Sequence, residues 1–172
     1  MKWIWAALVA ALLAGLCVFA LTGCGGGGKE ERQVPFEARY VRTNGYDADA
    51  THPQTTFICS RASLDAYLTA AGATYDTTEL VDLASFYDDA WFEEHMLLVV
   101  VLEERSGSIW HEVTAVHEFP GHSIDISRYE PPVLTMDMAQ WHIVVELPAG
   151  SFQEGDGIQV VFTDWEAIDQ KH

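Results

Sequence analysis

The chain predicts an α+β domain: a mostly antiparallel β-sheet, folded as a sandwich or barrel, with one or two N-terminal helices packed on it. Three observations lead there. Met96 to Leu102 is an unbroken apolar run that stops at Glu103-Glu104, the pattern of a central strand buried on both faces. From Ile109 onward, apolar and polar residues alternate in short runs separated by turn residues. Ahead of both lies a helically spaced stretch that opens on a serine.

The folded part is expected to begin near Pro35. Phe36 to Thr43 has β character, and Asn44-Gly45 is a turn signal. Phe57 to Cys59 is a second, short strand. Ser60 then serves as an N-cap, with Leu64, Tyr67, Leu68 and Ala71 on one helical face and Gly72 as the C′ residue that ends the helix. A second, looser helical stretch runs from about Glu79 to Glu94, with Leu80, Leu83, Ala84 and Tyr87 as its stripe. After the central strand comes a turn at Arg105-Ser106-Gly107-Ser108. Strict alternation in Ile109 to Phe119 puts Ile109, His111, Val113, Ala115 and His117 on one face and Trp110, Glu112, Thr114, Val116 and Glu118 on the other. His122 to Tyr129 alternates with Ile124 and Ile126 inward, and Pro131-Pro132 breaks the pattern. Gln140 to Leu147 places Trp141, Ile143, Val145 and Leu147 on one face. After a turn at Gly155 to Gly157, Ile158, Val160 and Phe162 give the last strand.

The N-terminus speaks to location. Lys2 opens an apolar run from Trp3 to Leu21, followed by two small residues, Cys24 and four glycines. A cationic start, an apolar middle and a small-residue cleavage site make a secretory signal. At ~1.5 Å per residue the apolar run is also long enough for a membrane span, but a retained anchor has no need of Gly-Cys followed by four glycines. The order Leu21-Thr22-Gly23-Cys24 resembles the lipobox of bacterial lipoproteins. That resemblance implies cleavage before Cys24, lipid on its thiol and new amino group, and a place on the extracytoplasmic face of the cell membrane. The expected organisation is a signal peptide over 1–23, a lipidated cysteine with a flexible glycine and charged tether over 24–35, and one globular domain over 36–172.

Lys2 is the sole charged residue before Cys24, so the remainder carries all 26 acidic residues against all but one of the nine basic ones. Nucleic acid and anionic headgroups are poor partners for such a surface. Cys59 is the one cysteine left after Cys24, which leaves no disulfide within the domain. It sits in the apolar run Thr55 to Cys59 and reads as a small buried hydrophobe.

The order of elements carries a family resemblance. Ser60-x-x-x-Leu64, Phe86-Tyr87-Asp88-Asp89, the strand Met96 to Leu102, and Glu104-Arg105-Ser106-Gly107-Ser108 leading into Ile109 to Val116 come in sequence. Met138 to Glu146 resembles a recurrent stretch in small lipoproteins of gut-type Gram-positive bacteria. More distantly, the strand-turn-strand part resembles the C-terminal domain of the PrcB family, named for an accessory lipoprotein of a surface protease complex. The resemblance covers about residues 55–163 and implies an accessory lipoprotein with no catalytic residue to carry over. The PrcB-type pattern favours Gly-Gly-Tyr after the central strand, where this chain has Ser106-Gly107-Ser108-Ile109.

No set of residues reads as catalytic, and no metal or cofactor is expected. His111 and His117 are six apart on a strand, about 20 Å at ~3.3 Å per residue, too far to share an ion. His117 and His122 flank the Pro120-Gly121 turn without an evident third ligand. There is no Gly-x-Ser-x-Gly elbow, and acidic pairs such as Asp88-Asp89 and Glu103-Glu104 are neighbours in sequence rather than facing carboxylates. Aromatics leave one positive signal. Trp110 lies on the more polar face of its strand beside Glu112, and a short hairpin at Pro120-Gly121 brings Tyr129 opposite Glu112 and next to Trp110. Trp110, Glu112 and Tyr129 are therefore the candidate protein-contact residues, since aromatics dominate interface energetics. The expectation is a non-catalytic, membrane-anchored binding or accessory lipoprotein that meets a protein at the cell surface. Its rivals are an envelope enzyme and a binder of small ligands or cations.

Overall fold

The computed structural model describes residues 32–44, 50–119 and 121–164. Cys24 and the whole signal segment lie outside the described residues. Among the described residues, eight strands and three helices follow in order: β1 (Arg32–Gln33), β2 (Glu37–Thr43), β3 (Gln54–Ile58), α1 (Arg61–Ala71), α2 (Thr78–Ala84), α3 (Asp89–Phe92), β4 (His95–Glu104), β5 (Trp110–Phe119), β6 (Ser123–Tyr129), β7 (Ala139–Pro148) and β8 (Gln159–Asp164). Two four-stranded sheets face each other without closing into a barrel. One has the order β1-β5-β6-β8 and the other β2-β7-β4-β3. Every pairing is antiparallel except β6 with β8. The α+β, mostly antiparallel expectation therefore holds, with a sandwich as the closure and three helices in place of one or two.

The apolar run of β4 explains the layering. Met96, Leu98, Val100 and Leu102 point into the core between the sheets, with Val113, Val116, Ile124, Ile126, Ile143, Val145, Leu147 and Phe152. Leu97, Val99 and Val101 point the other way, under Leu64, Leu80, Ala84, Tyr87 and Phe92 of the helical stretch. A strand buried on both faces needs apolar residues at every position, because consecutive side chains alternate between faces. The order across the domain is helices, the β2-β7-β4-β3 sheet, then the β1-β5-β6-β8 sheet.

Local chemistry sets the helix ends. Ser60 and Ser63 form a capping box at α1: the Ser63 amide donates to Ser60 Oγ at 3.1 Å, and the Ser60 amide to Ser63 Oγ at 3.1 Å. Gly72 ends α1 with φ of −66°, so it is right-handed rather than the left-handed C′ residue expected. The looser stretch 79–94 resolves into α2 and α3, with Asp88 capping α3 by accepting from the Trp91 amide at 2.9 Å. The folded part also starts earlier than Pro35. Arg32 and Gln33 pair with β5, and Val34 is buried.

One irregularity changes faces. The β5–β6 register shifts between Val113 and Ala115, so Val116 rather than Ala115 turns into the core. An extra residue in one strand of an antiparallel pair has this effect. The expected strict alternation of β5 therefore fails after Val113. Tyr40 from the opposite sheet meets the bulge: the Val113 amide donates to Tyr40 Oη at 2.8 Å. The last strand forms as expected, from Gln159, with Val160 packed against the core and Phe162 42% exposed.

Candidate functional site

The turn and the bulge together reset the aromatic pair. Tyr129 stands opposite Trp110, not opposite Glu112, whose partner is Ser127. The Trp110 and Tyr129 rings lie 5.2 Å apart, tilted by 43°, an edge-leaning geometry that aromatic quadrupoles favour. Trp110 is 40% exposed, Tyr129 is half-buried, and Glu112 is exposed two residues along the same face. The structure thus brings all three residues to one outer sheet face, with a different pairing from the one expected. Cys24, the candidate lipidation residue, lies outside the described residues.

Position along the strands matters. β1 enters the sheet opposite the far end of β5, with Arg32 beside Phe119. Trp110 is at the other end of this ten-residue strand, ~30 Å away at ~3.4 Å per residue. The aromatic pair is therefore at the end of the domain remote from where residue 32 enters.

At that same end, the sequence reading missed the β6–β7 loop. Pro131-Pro132 read only as a break in pattern, yet the loop carries Val133 at 82% exposure, Met138 more than half exposed and Met136 fully exposed. The signal was present as three apolar residues at 133, 136 and 138 with no strand or helix to bury them. The loop backbone is tied to the 105–108 turn. The Gly107 amide donates to the Asp137 carbonyl at 2.9 Å, and Thr135 Oγ1 and Ser106 Oγ are 2.9 Å apart. Arg42 reaches Asp137 Oδ2 at 2.5 Å. Hydrogen bonds from Thr135 and Arg42 hold the Asp137 carboxyl down at about 2. A Cβ on Gly107 would stand 2.4 Å from Asp137 Oδ2 and 2.5 Å from Arg42 Nη1, so glycine is what allows this close approach.

Beneath the loop, a polar clamp joins the two sheets. Glu104 of β4 accepts from Arg128 of β6 on both oxygens, from Nε and Nη2 at 2.8 Å each, and lies 2.8 Å from His111 Nε2 of β5. Arg128 Nη1 goes on to Glu130 at 3.0 Å, and Arg105 also binds Glu130. Burial pushes the Glu104 carboxyl up, but the bonds from Arg128 and His111 outweigh it and hold it at about 2. Both Glu104 oxygens and all three Arg128 nitrogens are engaged within this group, so its chemistry is to fasten the sheets and neutralise charge. A cleft of about 340 Å³ beside it is lined by His52, Glu103, Arg128 and Phe162.

The other titratable groups are dispersed. His142 is fully buried on the helix side of its sheet, with Nδ1 3.0 Å from Thr43 Oγ1 and the rings of Tyr67 and Tyr75 edge-on. Burial, with a smaller contribution from His52, pushes it down to about 4. Cys59 is half-buried rather than fully buried, and desolvation ahead of the Glu154 charge pushes its thiol up, which favours the unreactive protonated form. Among the described residues, no three His, Cys, Asp or Glu side chains converge as metal ligands. Comparison with protein-family models, curated proteins and solved structures finds no match to this chain.

Proposed function

We propose that this chain is a non-catalytic, lipid-anchored accessory lipoprotein of the extracytoplasmic membrane face, and that it binds a protein partner through the end carrying Trp110, Tyr129 and Glu112. The observation that carries the reading is the ring pair of Trp110 and Tyr129 on an outer sheet face, ~30 Å along β5 from the entry of residue 32. A flexible tether between Cys24 and Arg32 keeps the domain near the bilayer and leaves it free to turn that end toward a partner. The lipobox-like Leu21 to Cys24 and the resemblance to the PrcB C-terminal domain support the same reading. Glu112 beside two aromatic rings suits a partner segment bearing a lysine or arginine, which gains a carboxylate and a π face together.

The test is site-specific crosslinking on intact cells. A photoreactive residue at Trp110 or Glu112 is expected to capture a discrete partner. The same residue at Phe86, which is 74% exposed on the helix side, is expected to capture little. The Cys24→Ala chain is expected to leave the membrane fraction or persist as an uncleaved precursor. Capture at Phe86 equal to that at Trp110 would refute the docking end, and a Cys24→Ala chain that fractionates like the parent would refute the anchor.

A further inference from the structure

We infer that the β6–β7 loop is the second half of this docking end, a braced apolar edge that receives an uncharged, apolar stretch of the same partner segment whose basic residue is taken by Glu112. The inference rests on the proposed function and names the partner chemistry it requires. Three apolar side chains, Val133, Met136 and Met138, face solvent from a loop whose backbone is fixed by polar bonds to another turn. A loop bonded in place gives up less conformational freedom on binding than a floppy one. Methionine adapts its shape to an apolar partner surface.

Charge selects the occupant. The chain carries a formal charge of −17, yet the charges beneath this loop cancel. Glu104 and Glu130 are matched by Arg128 and Arg105, and Asp137 is matched by Arg42. No arginine of this group is left over for an anionic headgroup, so a lipid surface gains nothing electrostatic here. The loop is joined to the aromatic pair through short links. The Thr135 amide donates to Ser108 Oγ at 3.4 Å, two residues before Trp110, and Glu130 directly follows Tyr129. One extended segment, apolar with a lysine or arginine at one end, spans both.

Random peptides displayed on phage and selected against the full chain carrying Cys24→Ala are the probe. The selected peptides are expected to combine an apolar run with a flanking basic residue. Two variants separate contact from bracing. Val133→Ser with Met136→Ser removes the apolar side chains and keeps the bonds. Gly107→Ala pushes the Asp137 carboxylate and the Arg42 guanidinium aside and keeps the apolar side chains. Each is expected to weaken the selected peptides at least tenfold while the thermal transition stays cooperative. Retention of binding in either variant overturns the inference, as do selected peptides that are acidic or lack an apolar run. Sedimentation with phosphatidylcholine–phosphatidylglycerol vesicles that Met136→Ser abolishes overturns it in favour of a membrane. A concentration-dependent dimer lost in the same variant overturns it in favour of a second copy. If loop variants bind like the parent but Trp110→Ala does not, only this inference fails. If Trp110→Ala also binds like the parent, the proposed function fails with it.

Discussion

The two outer faces of the sandwich are built from opposite kinds of strand. On the β2-β7-β4-β3 sheet, Val41, Leu97, Val99, Val101 and Val144 are all buried beneath the helices. On the β1-β5-β6-β8 sheet, the residues in the same outward position are Trp110, Glu112, Thr114 and Ser127, and no described helix covers them. The first face was sealed by the chain's own helices, which follow β3 and precede β4 in sequence. The second kept polar residues around one aromatic pair. The difference places the structural load on the first face and leaves the second, among the described residues, without a helix over it.

The largest effect that breaks this comparison lies under the helices. Leu97 is fully buried between β4 and the helical layer. Leu97→Ala removes its packing and leaves a cavity, so a loss of about 2–5 kcal/mol is expected in urea unfolding. A loss below about 1 kcal/mol, less than a buried Leu→Ala change costs, would mean the helices sit loosely on the sheet and the two faces differ less than described.

A second effect of similar size sharpens the comparison through pH. His142 lies on the helix side and is held neutral, at about 4 in the folded state against an ordinary 6.5. Between those values the unfolded chain takes up a proton that the folded one refuses. Stability is therefore whole above pH 6.5 and falls as pH drops toward 4, by about 3 kcal/mol. Glu104 fastens the two sheets to each other and is held anionic, at about 2 against an ordinary 4.5. Its contribution is present above 4.5 and is lost as pH falls from there toward 2. The helix layer thus weakens first on acidification and the sheet clamp afterwards. Urea midpoints from pH 7 to 4 are expected to fall more steeply in the parent than in His142→Gln. Parallel profiles would show that His142 is hydrated or hydrogen-bonded to its cationic form.

Periodicity made the first face legible and misread part of the second. Met96 to Leu102 announces a doubly buried strand because its seven residues are all apolar, three of them are β-branched valines, and the run is too short for a buried helix. Ser60 announces its helix because the cap is local chemistry. The bulge near Thr114 was not legible: Val113-Thr114-Ala115-Val116 alternates acceptably in either register, and only the Ile124 and Ile126 pairing across the hairpin decides it. The wider turn, in which His117 pairs with Ser123 rather than Ile124, and the bulge each move the register by one residue, and together they carry Tyr129 from Glu112 to Trp110. The parallel pairing of β8 with β6 was hidden for a like reason, since strand direction depends on the long 130–158 excursion rather than on the strand's own residues. The β6–β7 loop was hidden because its bracing comes from Arg42 and Ser106, far away in sequence, and no local pattern distinguishes a held apolar loop from a buried one.

The smallest effect tests the second face directly. Trp110 is the largest side chain of the outer surface of β5, and the Tyr129 ring lies 5.2 Å from it. A cross-strand aromatic pair on a sheet surface contributes about 1 kcal/mol or less. Trp110→Ala is therefore expected to lower stability by about that amount, well short of Leu97→Ala, while partner capture at the cell surface drops by an order of magnitude or more. The two readouts must diverge for the comparison to stand, because an aromatic anchor matters to binding out of proportion to its part in the fold. Melting and capture are best measured on the same preparation. If Trp110→Ala destabilises the domain as much as Leu97→Ala does, Trp110 belongs to a packed layer of its own. The β1-β5-β6-β8 sheet would then be covered on both sides, and no face would remain for a partner.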